Sequence, residues 1–245
     1  MYEFIKKLVK SIVPTSFIRK NDKLLRLFVS LSYRGNAYEC NICNFTMNKF
    51  IVLSNGNKLC PKCGSLPRTR RLWQIIEQEV SGKDILHFSP SKSMRNKIAN
   101  SNPKNYITTD YEDEFEADKK HDIQAIDEPD SSFDIVICYH VLEHIPDDKK
   151  AMGELYRVLK LGGKCYIQTP YKEGEIYENP EITTPEGRLE HFGQSDHLRI
   201  YSVPGLKSRL EEVGFRVNVL DFEVLMETRF GLNSSETILE AIRHR

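Results

Sequence analysis

The sequence predicts an α/β chain: a mostly parallel sheet with helices on both faces, preceded by a small cysteine-bearing ribbon and a basic helical segment. Three observations carry this. From residue 84 onward, short strand-like runs alternate with helical patterns. Four of the six cysteines fall in two close pairs between residues 36 and 72. Eight Lys/Arg lie within residues 1–38 against Glu3 and Asp22, a local net charge of +6.

The chain has 245 residues, 40% of them hydrophobic and 29% charged, enough for a true core and unlike a disordered chain. Its 35 basic and 35 acidic side chains cancel, so charge alone predicts neither a nucleic-acid nor a membrane partner. No apolar run approaches the roughly 20 residues of a membrane span. Lys6, Lys7 and Lys10 interrupt any signal-peptide core, which implies a cytoplasmic protein with reduced thiols.

Residues 1–35 read as basic amphipathic helices broken at Pro14. Phe4, Ile5, Leu8 and Ile12 fall near helical spacing, as do Leu24, Leu27, Phe28 and Leu31. Such stripes ordinarily pack on the rest of the protein. The other reading is a helix lying on an anionic membrane surface, which would make the protein membrane-peripheral.

Cys40-x2-Cys43 and Cys60-x2-Cys63, separated by sixteen residues, have the spacing of a four-cysteine zinc site. A lone C-x-x-C reads as a redox motif; two pairs at this separation favour one ion. Four thiolates close the coordination sphere, so this zinc is structural. Arg68, Arg70 and Arg71 follow, with Trp73 close by. They fit a small nucleic-acid patch or, preferably, the exposed side of a connecting helix. Cys138 and Cys165 sit in strand-like runs and read as core thiols.

Residues 84–88, 105–109, 134–138 and 164–169 are strand-like. Residues 147–161 form the clearest helical pattern, with Ala151, Leu155, Val158 and Leu159 on one stripe. Asp147 and Asp148 suit its start and Gly162 its end. The turn after the first strand, "HFSPS", has Ser89, Pro90 and Ser91 where a nucleotide fold carries G-x-G. The stretch "EITTPEGRLEHFGQSDHLRIYS", residues 181–202, is dense in functional side chains. His191, Asp196 and His197 can carry protons there, Arg188 and Arg199 can bind an anion, and Gln194 and Tyr201 can hold a polar group.

"SSFDIVICYHVLEHIPDDKKAMGELYRVLKLGGKCYIQTPY", residues 131–171, resembles the fourth strand, following helix and fifth strand of class I S-adenosylmethionine (SAM)-dependent methyltransferases. The likeness extends over residues 84 to about 222. The whole arrangement is similar to a bacterial group in which a four-cysteine ribbon precedes a Rossmann-like methyltransferase sheet. It implies a helical segment over 1–35, a zinc ribbon over 36–72 and a methyltransferase domain over 73–245. It sets Asp110 on the cofactor ribose, Asp122 and Ile123 on the adenine, and Tyr139 and His140 beside the ligand. Phe88, Ser89, Pro90 and Tyr111 complete the expected cofactor wall. SAM has no pyrophosphate, so a glycine-rich cradle is less needed. Hydroxyls of Ser89 and Ser91 could receive its carboxylate instead.

Some related enzymes, acting on small-RNA 3′ ends or quinone precursors, hold a metal with Glu-x-x-Glu-His. This chain has His140-x-x-Glu143-His144, with His197 downstream. The expected activity is O-methylation of a polar acceptor, such as a sugar hydroxyl of a surface glycan, with His144, His191, Asp196 and His197 as catalytic candidates. Two alternatives stand beside it: RNA-base methylation with the ribbon on RNA, and a non-catalytic binding module.

Overall fold

A computed structural model describes residues 24–112, 114–223 and 228–244. The chain divides into two compact units. The first takes in residues up to Glu79, Ser91–Asn100 and Phe222–Glu236. The second takes in Val80–Pro90, Ser101–Asp221 and Thr237–Arg245.

In the first unit, residues 24–31 are helical. Strand β1 (Arg34–Cys40) pairs antiparallel with β2 (Phe45–Met47), and β3 (Ile51–Val52) with β4 (Lys58–Leu59). Helix α1 (Pro67–Ile76) follows. Pro67 opens it, where a fixed φ and a missing N–H do no harm. Its buried face corrects the expected arginine surface. Arg70 is fully buried, donating Nε to Phe230 O at 2.6 Å and Nη2 to Lys58 O and Gly231 O at 2.8 Å. Its two Nη1 hydrogens reach Ser65 O at 2.7 Å and Ser65 Oγ at 3.3 Å. Arg71 is buried too, stacked on the Phe222 ring and 3.8 Å from Glu236. A guanidinium has five N–H donors, and four carbonyls and the Ser65 hydroxyl consume those of Arg70. Helix α2 (Lys92–Ala99) is capped by Ser91, whose Oγ accepts from Met94 N–H. That hydroxyl is therefore used within the helix.

The second unit is built on a six-stranded sheet. Its parallel part contains β5 (Asp84–Phe88), β6 (Asn105–Thr109), β7 (Phe133–Tyr139) and β8 (Leu159–Gln168). Two short strands, β9 (Tyr177–Glu178) and β10 (Arg199–Ile200), pair with each other outside the main sheet, and along the main sheet the order is β6, β5, β7, β8, then β12 (Ser235–Arg243) and β11 (Phe215–Glu223). β12 runs antiparallel to β8, with Ala241 opposite Cys165. β5 is buried at every position, as expected of a central parallel strand covered on both faces. Cys138 and Cys165 are fully buried core thiols, and burial pushes both pKa values up.

Helix α3 (Asp148–Val158) carries the expected stripe, with Ala151, Leu155 and Val158 fully buried. Asp147 caps it, accepting from Lys150 N–H at 2.9 Å. Its end differs from the sequence expectation. The helix stops at Val158, and Leu159 is already extended and paired with Phe133. Gly162, at φ +77°, shapes an irregularity inside β8 where the register on β7 shifts. Leu159 stays in the core, so the helical stripe reads through a change of structure. Helices α4 (Pro185–Phe192) and α5 (Val203–Val213) follow, each closed by a left-handed glycine, Gly193 and Gly214.

His87 lies on β5, 4% exposed, with Nδ1 3.0 Å from the Tyr106 hydroxyl. Burial pushes its pKa down to about 3. The unfolded chain therefore binds a proton below about 6.5 that the folded chain refuses. This stability is present above that pH and is lost as pH falls toward 3. In urea titrations at pH 7 and pH 4, His87→Gln is expected to lose about 3 kcal/mol less than the parent across the interval. Equal losses would mean that His87 is not held neutral.

Candidate functional site

The site forms at the carboxyl ends of β5, β6 and β7. Ser89, just after β5, and His140, just after β7, both have left-handed backbones, at φ +46° and +55°. Non-glycine residues adopt this region at a cost of about 1 kcal/mol or more. Cross-strand bonds hold both turns: Ser89 N–H to Thr109 O at 2.7 Å and His140 N–H to Gln168 O at 2.8 Å. A serine thus fills a glycine-shaped turn, and it puts a hydroxyl there. Ser89 Oγ donates to Asp110 Oδ1 at 2.7 Å. Asp110 Oδ2 accepts from the backbone N–H groups of Glu114 and Phe115. A carboxylate offers about four acceptor positions, so Asp110 retains capacity for a ligand hydroxyl.

A cavity of about 710 Å³ opens there, large enough for a nucleoside-sized ligand. Seven of the nine expected cofactor residues line it: Phe88, Ser89, Asp110, Tyr111, Asp122, Ile123 and His140. Pro90 and Tyr139 stand outside the lining. Asp122 turns its Oδ1 back to Gln124 N–H at 2.8 Å, and Ile123 is buried. Sequence reasoning missed Glu112, Glu114 and Phe115, which also line the cavity. Their signal was the acidic run after β6. The lining carries Asp110, Glu112, Glu114, Asp122 and Asp196, and no Lys or Arg.

Behind one side of the cavity, the lining residue His144 meets the buried Glu143 and His197, which are not part of the lining, with ligand atoms within 4.8 Å of one another. The short 3₁₀ turn Leu142–His144 presents the first two. Glu143 is 1% exposed, and its carboxylate is held by no close hydrogen bond. The His140 ring comes nearest, with Nδ1 3.3 Å from Oε1. Burial pushes the Glu143 pKa up, but His140 outweighs it and holds the carboxyl below its usual range. Burial pushes His197 down, partly offset by Glu143, and favours the neutral ring. His197 bonds the Phe192 backbone, and its buried Nε2 has no partner. His144 Nδ1 meets Asp196 Oδ2 at 3.1 Å, which leaves its Nε2 for the cluster. A buried carboxylate with so little hydrogen bonding is costly unless a ligand or ion completes it. One carboxylate and two imidazoles suit a divalent cation and leave positions open.

The other expected acceptor residues are not brought there. His191 is exposed on α4, 2.7 Å from the Tyr177 hydroxyl. Arg199 is buried and donates to the carbonyls of Leu142, Ile145 and Pro146 and to Glu178. It braces the turn that carries Glu143, and its donors are spent. Tyr201 is fully buried and donates to Asp148 Oδ2 at 2.6 Å. Arg188 and Gln194 lie outside the cavity lining. Tyr171 was not anticipated: its buried hydroxyl has no partner, and burial and the charge of Glu143 push its pKa up.

The four ribbon cysteines form a separate cluster within 4.8 Å. Cys40 and Cys63 sulfurs are 3.6 Å apart, and those of Cys43 and Cys60 are 3.8 Å apart. Tetrahedral zinc with Zn–S of about 2.3 Å spaces its sulfurs by about 3.8 Å, so the residues fit the ion. Each pair closes with the same turn: Asn44 N–H to Cys40 O and Gly64 N–H to Cys60 O. Both closing residues are left-handed, at φ +54° and +75°. The thiols perturb one another: hydrogen bonding with Cys43 holds Cys40 low, and hydrogen bonding with Cys40 pushes Cys43 high.

Known proteins agree with this architecture. A probable SAM-dependent methyltransferase of Mycolicibacterium smegmatis is 26% identical over 156 residues, 60% of this chain and 57% of that protein. A ubiquinone biosynthesis O-methyltransferase of Idiomarina loihiensis is 37% identical over 61 residues, 22% of this chain and 25% of that protein. The chain thus spans little more than half the length of the first relative and a quarter of the second. Among solved structures, the YcgJ protein of Bacillus subtilis superposes with a TM-score of 0.51 at 15% identity, covering 71% of this chain and 98% of that one. A SAM-dependent methyltransferase from Mesorhizobium loti gives 0.52 at 15%, covering 70% and 97%. Residues 68–219 match the methyltransferase-domain family, and with the switch-point cavity above them they make this chain a member of that family, with the class I SAM-dependent fold.

Proposed function

We propose that the protein transfers the SAM methyl group to an oxygen of a neutral polar acceptor, of the sugar-hydroxyl kind, and that a divalent cation assists. The observation that carries this reading is the buried Glu143 carboxylate, held by no close hydrogen bond, beside His197 and the cavity-lining His144. The ubiquinone-biosynthesis relative, an O-methyltransferase by name, supports oxygen as the receiving atom.

Methyl transfer needs in-line approach, so positioning dominates. Asp110 would take the ribose hydroxyls, steadied by Ser89. Ile123 would pack against adenine. Glu143, His144 and His197 would hold the cation, with Asp196 fixing the His144 ring and Arg199 fixing the turn. When bound, the cation would lower the pKa of the acceptor hydroxyl. A cavity lined by five carboxylates and no Lys or Arg disfavours a polyanion. The burial of Arg70 and Arg71 likewise removes the basic patch that RNA-base methylation would use. The ribbon cysteines would hold one zinc ion in a folding role.

Calorimetric titration with SAM and S-adenosylhomocysteine should give micromolar binding, and Asp110→Ala should weaken it at least about tenfold, or about 1.4 kcal/mol. No binding of either by folded protein would favour the non-catalytic module. For the second cluster, Glu143→Gln and His197→Gln should each lose added Mn²⁺ binding by calorimetry while keeping SAM affinity within about twofold. Full Mn²⁺ binding by both variants would remove the cation from the mechanism. Elemental analysis should find one zinc per chain. Cys60→Ser should lose it together with several kcal/mol of stability. A zinc-free parent with an unchanged melting temperature would overturn that assignment.

A further inference from the structure

Three chain segments are laced together around Glu143. His140 N–H donates to Gln168 O at 2.8 Å, Leu198 N–H to Glu143 O at 2.9 Å and Lys172 N–H to Tyr201 O at 2.9 Å. Tyr171 and Tyr201 form a parallel bridge. Side chains on the same segments are not paired in this way. Both Glu143 carboxylate oxygens, His197 Nε2, Thr169 Oγ1 and Tyr171 Oη are buried and held by no close hydrogen bond. Glu143, His197 and Thr169 are 1%, 2% and 3% exposed. Buried polar atoms are nearly always paired in native proteins, so a group of them left open marks a place that a polar occupant completes. Thr169 and Tyr171 stand just past the end of β8 and outside the cavity lining.

The open atoms divide by kind. The ionised Glu143 carboxylate only accepts hydrogen bonds. The neutral His197 ring bonds the Phe192 backbone and keeps Nε2 as an acceptor too. Thr169 and Tyr171 bring hydroxyls, which both donate and accept. The Tyr171 hydroxyl lies within the field of Glu143, whose charge adds to burial in pushing its pKa up, and the Thr169 backbone lies beside it. Yet that hydroxyl makes no close bond to the carboxylate. A cation alone answers the acceptors and leaves the hydroxyls open. An oxygen bound to that cation answers both. On the cation reading above, we infer that Thr169 and Tyr171 are positioning residues, whose hydroxyls hold the water on the open side of the ion, in the place that the acceptor oxygen takes during transfer. Three protein ligands leave such positions open. The hydroxyls accept from that oxygen while it is protonated and donate to it once its proton has left.

The test is calorimetric titration of the zinc-loaded full chain with Mn²⁺, paired with thermal melts in the absence of Mn²⁺. Tyr171→Phe and Thr169→Val keep the side-chain shape and remove the hydroxyl. Each should weaken Mn²⁺ binding about tenfold, the scale on which groups around a metal's own ligands act. SAM affinity should stay within about twofold, because neither residue lines the cavity. Without Mn²⁺ each variant should melt at or above the parent's temperature, since the change removes a buried hydroxyl that lacks a close partner. A clear drop in that Mn²⁺-free melting temperature would make the hydroxyls structural and overturn the inference. Mn²⁺ affinity within twofold of the parent in both variants would also overturn it, and would leave the cation reading standing. A parent that binds no Mn²⁺ would overturn both.

Discussion

β5 hydrogen-bonds β6 along one edge and β7 along the other, both in parallel. Each parallel neighbour must be reached by a crossover, and the chain leaves toward opposite sides for the two. Nothing then covers the carboxyl ends between them, and a crevice opens. The cavity is a consequence of this topology before any side chain is chosen. What side chains add is closure of the turns. Ser89 and His140 bend into the left-handed region, and each is held by a carbonyl of the adjacent strand. The strain is sustained because the sheet over-determines it, and it aims Ser89 at Asp110 and His140 at Glu143.

The strands and the ribbon were legible because each is a local pattern. Alternating apolar runs announce strands, and paired cysteines announce an ion. The end of α3 was not legible, because Leu159 satisfies the helical stripe and the strand core equally. The left-handed Asn44 was hidden for a different reason: it plays beside Cys43 the part that Gly64 plays beside Cys63, without being glycine.

The acceptor segment shows the limit of residue type as a guide. His191 and His197 are six positions apart and chemically identical. One ends on the outer face of α4, and the other is drawn under the cavity edge. Arg199 looked like an anion binder because its charge is visible in sequence. Its role is to satisfy three carbonyls of the Leu142–Pro146 turn, which only the fold reveals. Arg70 repeats the lesson in the ribbon, where carbonyls from two chain segments absorb its donors. Buried arginine is the fold's means of tying off irregular backbone.

The two clusters of ligand-type side chains differ in a way that divides their roles. Four thiolates saturate a tetrahedral ion and exclude a substrate. Glu143, His144 and His197 supply three ligand atoms, of which His144 belongs to the cavity lining, and three ligands do not close a coordination sphere. The charge of that lining then bears on what enters. Five carboxylates without a Lys or Arg are tolerable when cations join them, and under the proposed reading two do: the sulfonium of SAM and the divalent ion. An anionic acceptor would meet the same carboxylates unshielded at its approach, whereas a neutral hydroxyl meets none of that repulsion. It acquires negative charge only as its proton leaves, beside the ion. On this account the acidic wall disfavours anionic competitors before binding, while a cation held by Glu143 and the two histidines would favour negative charge at the one atom that must develop it.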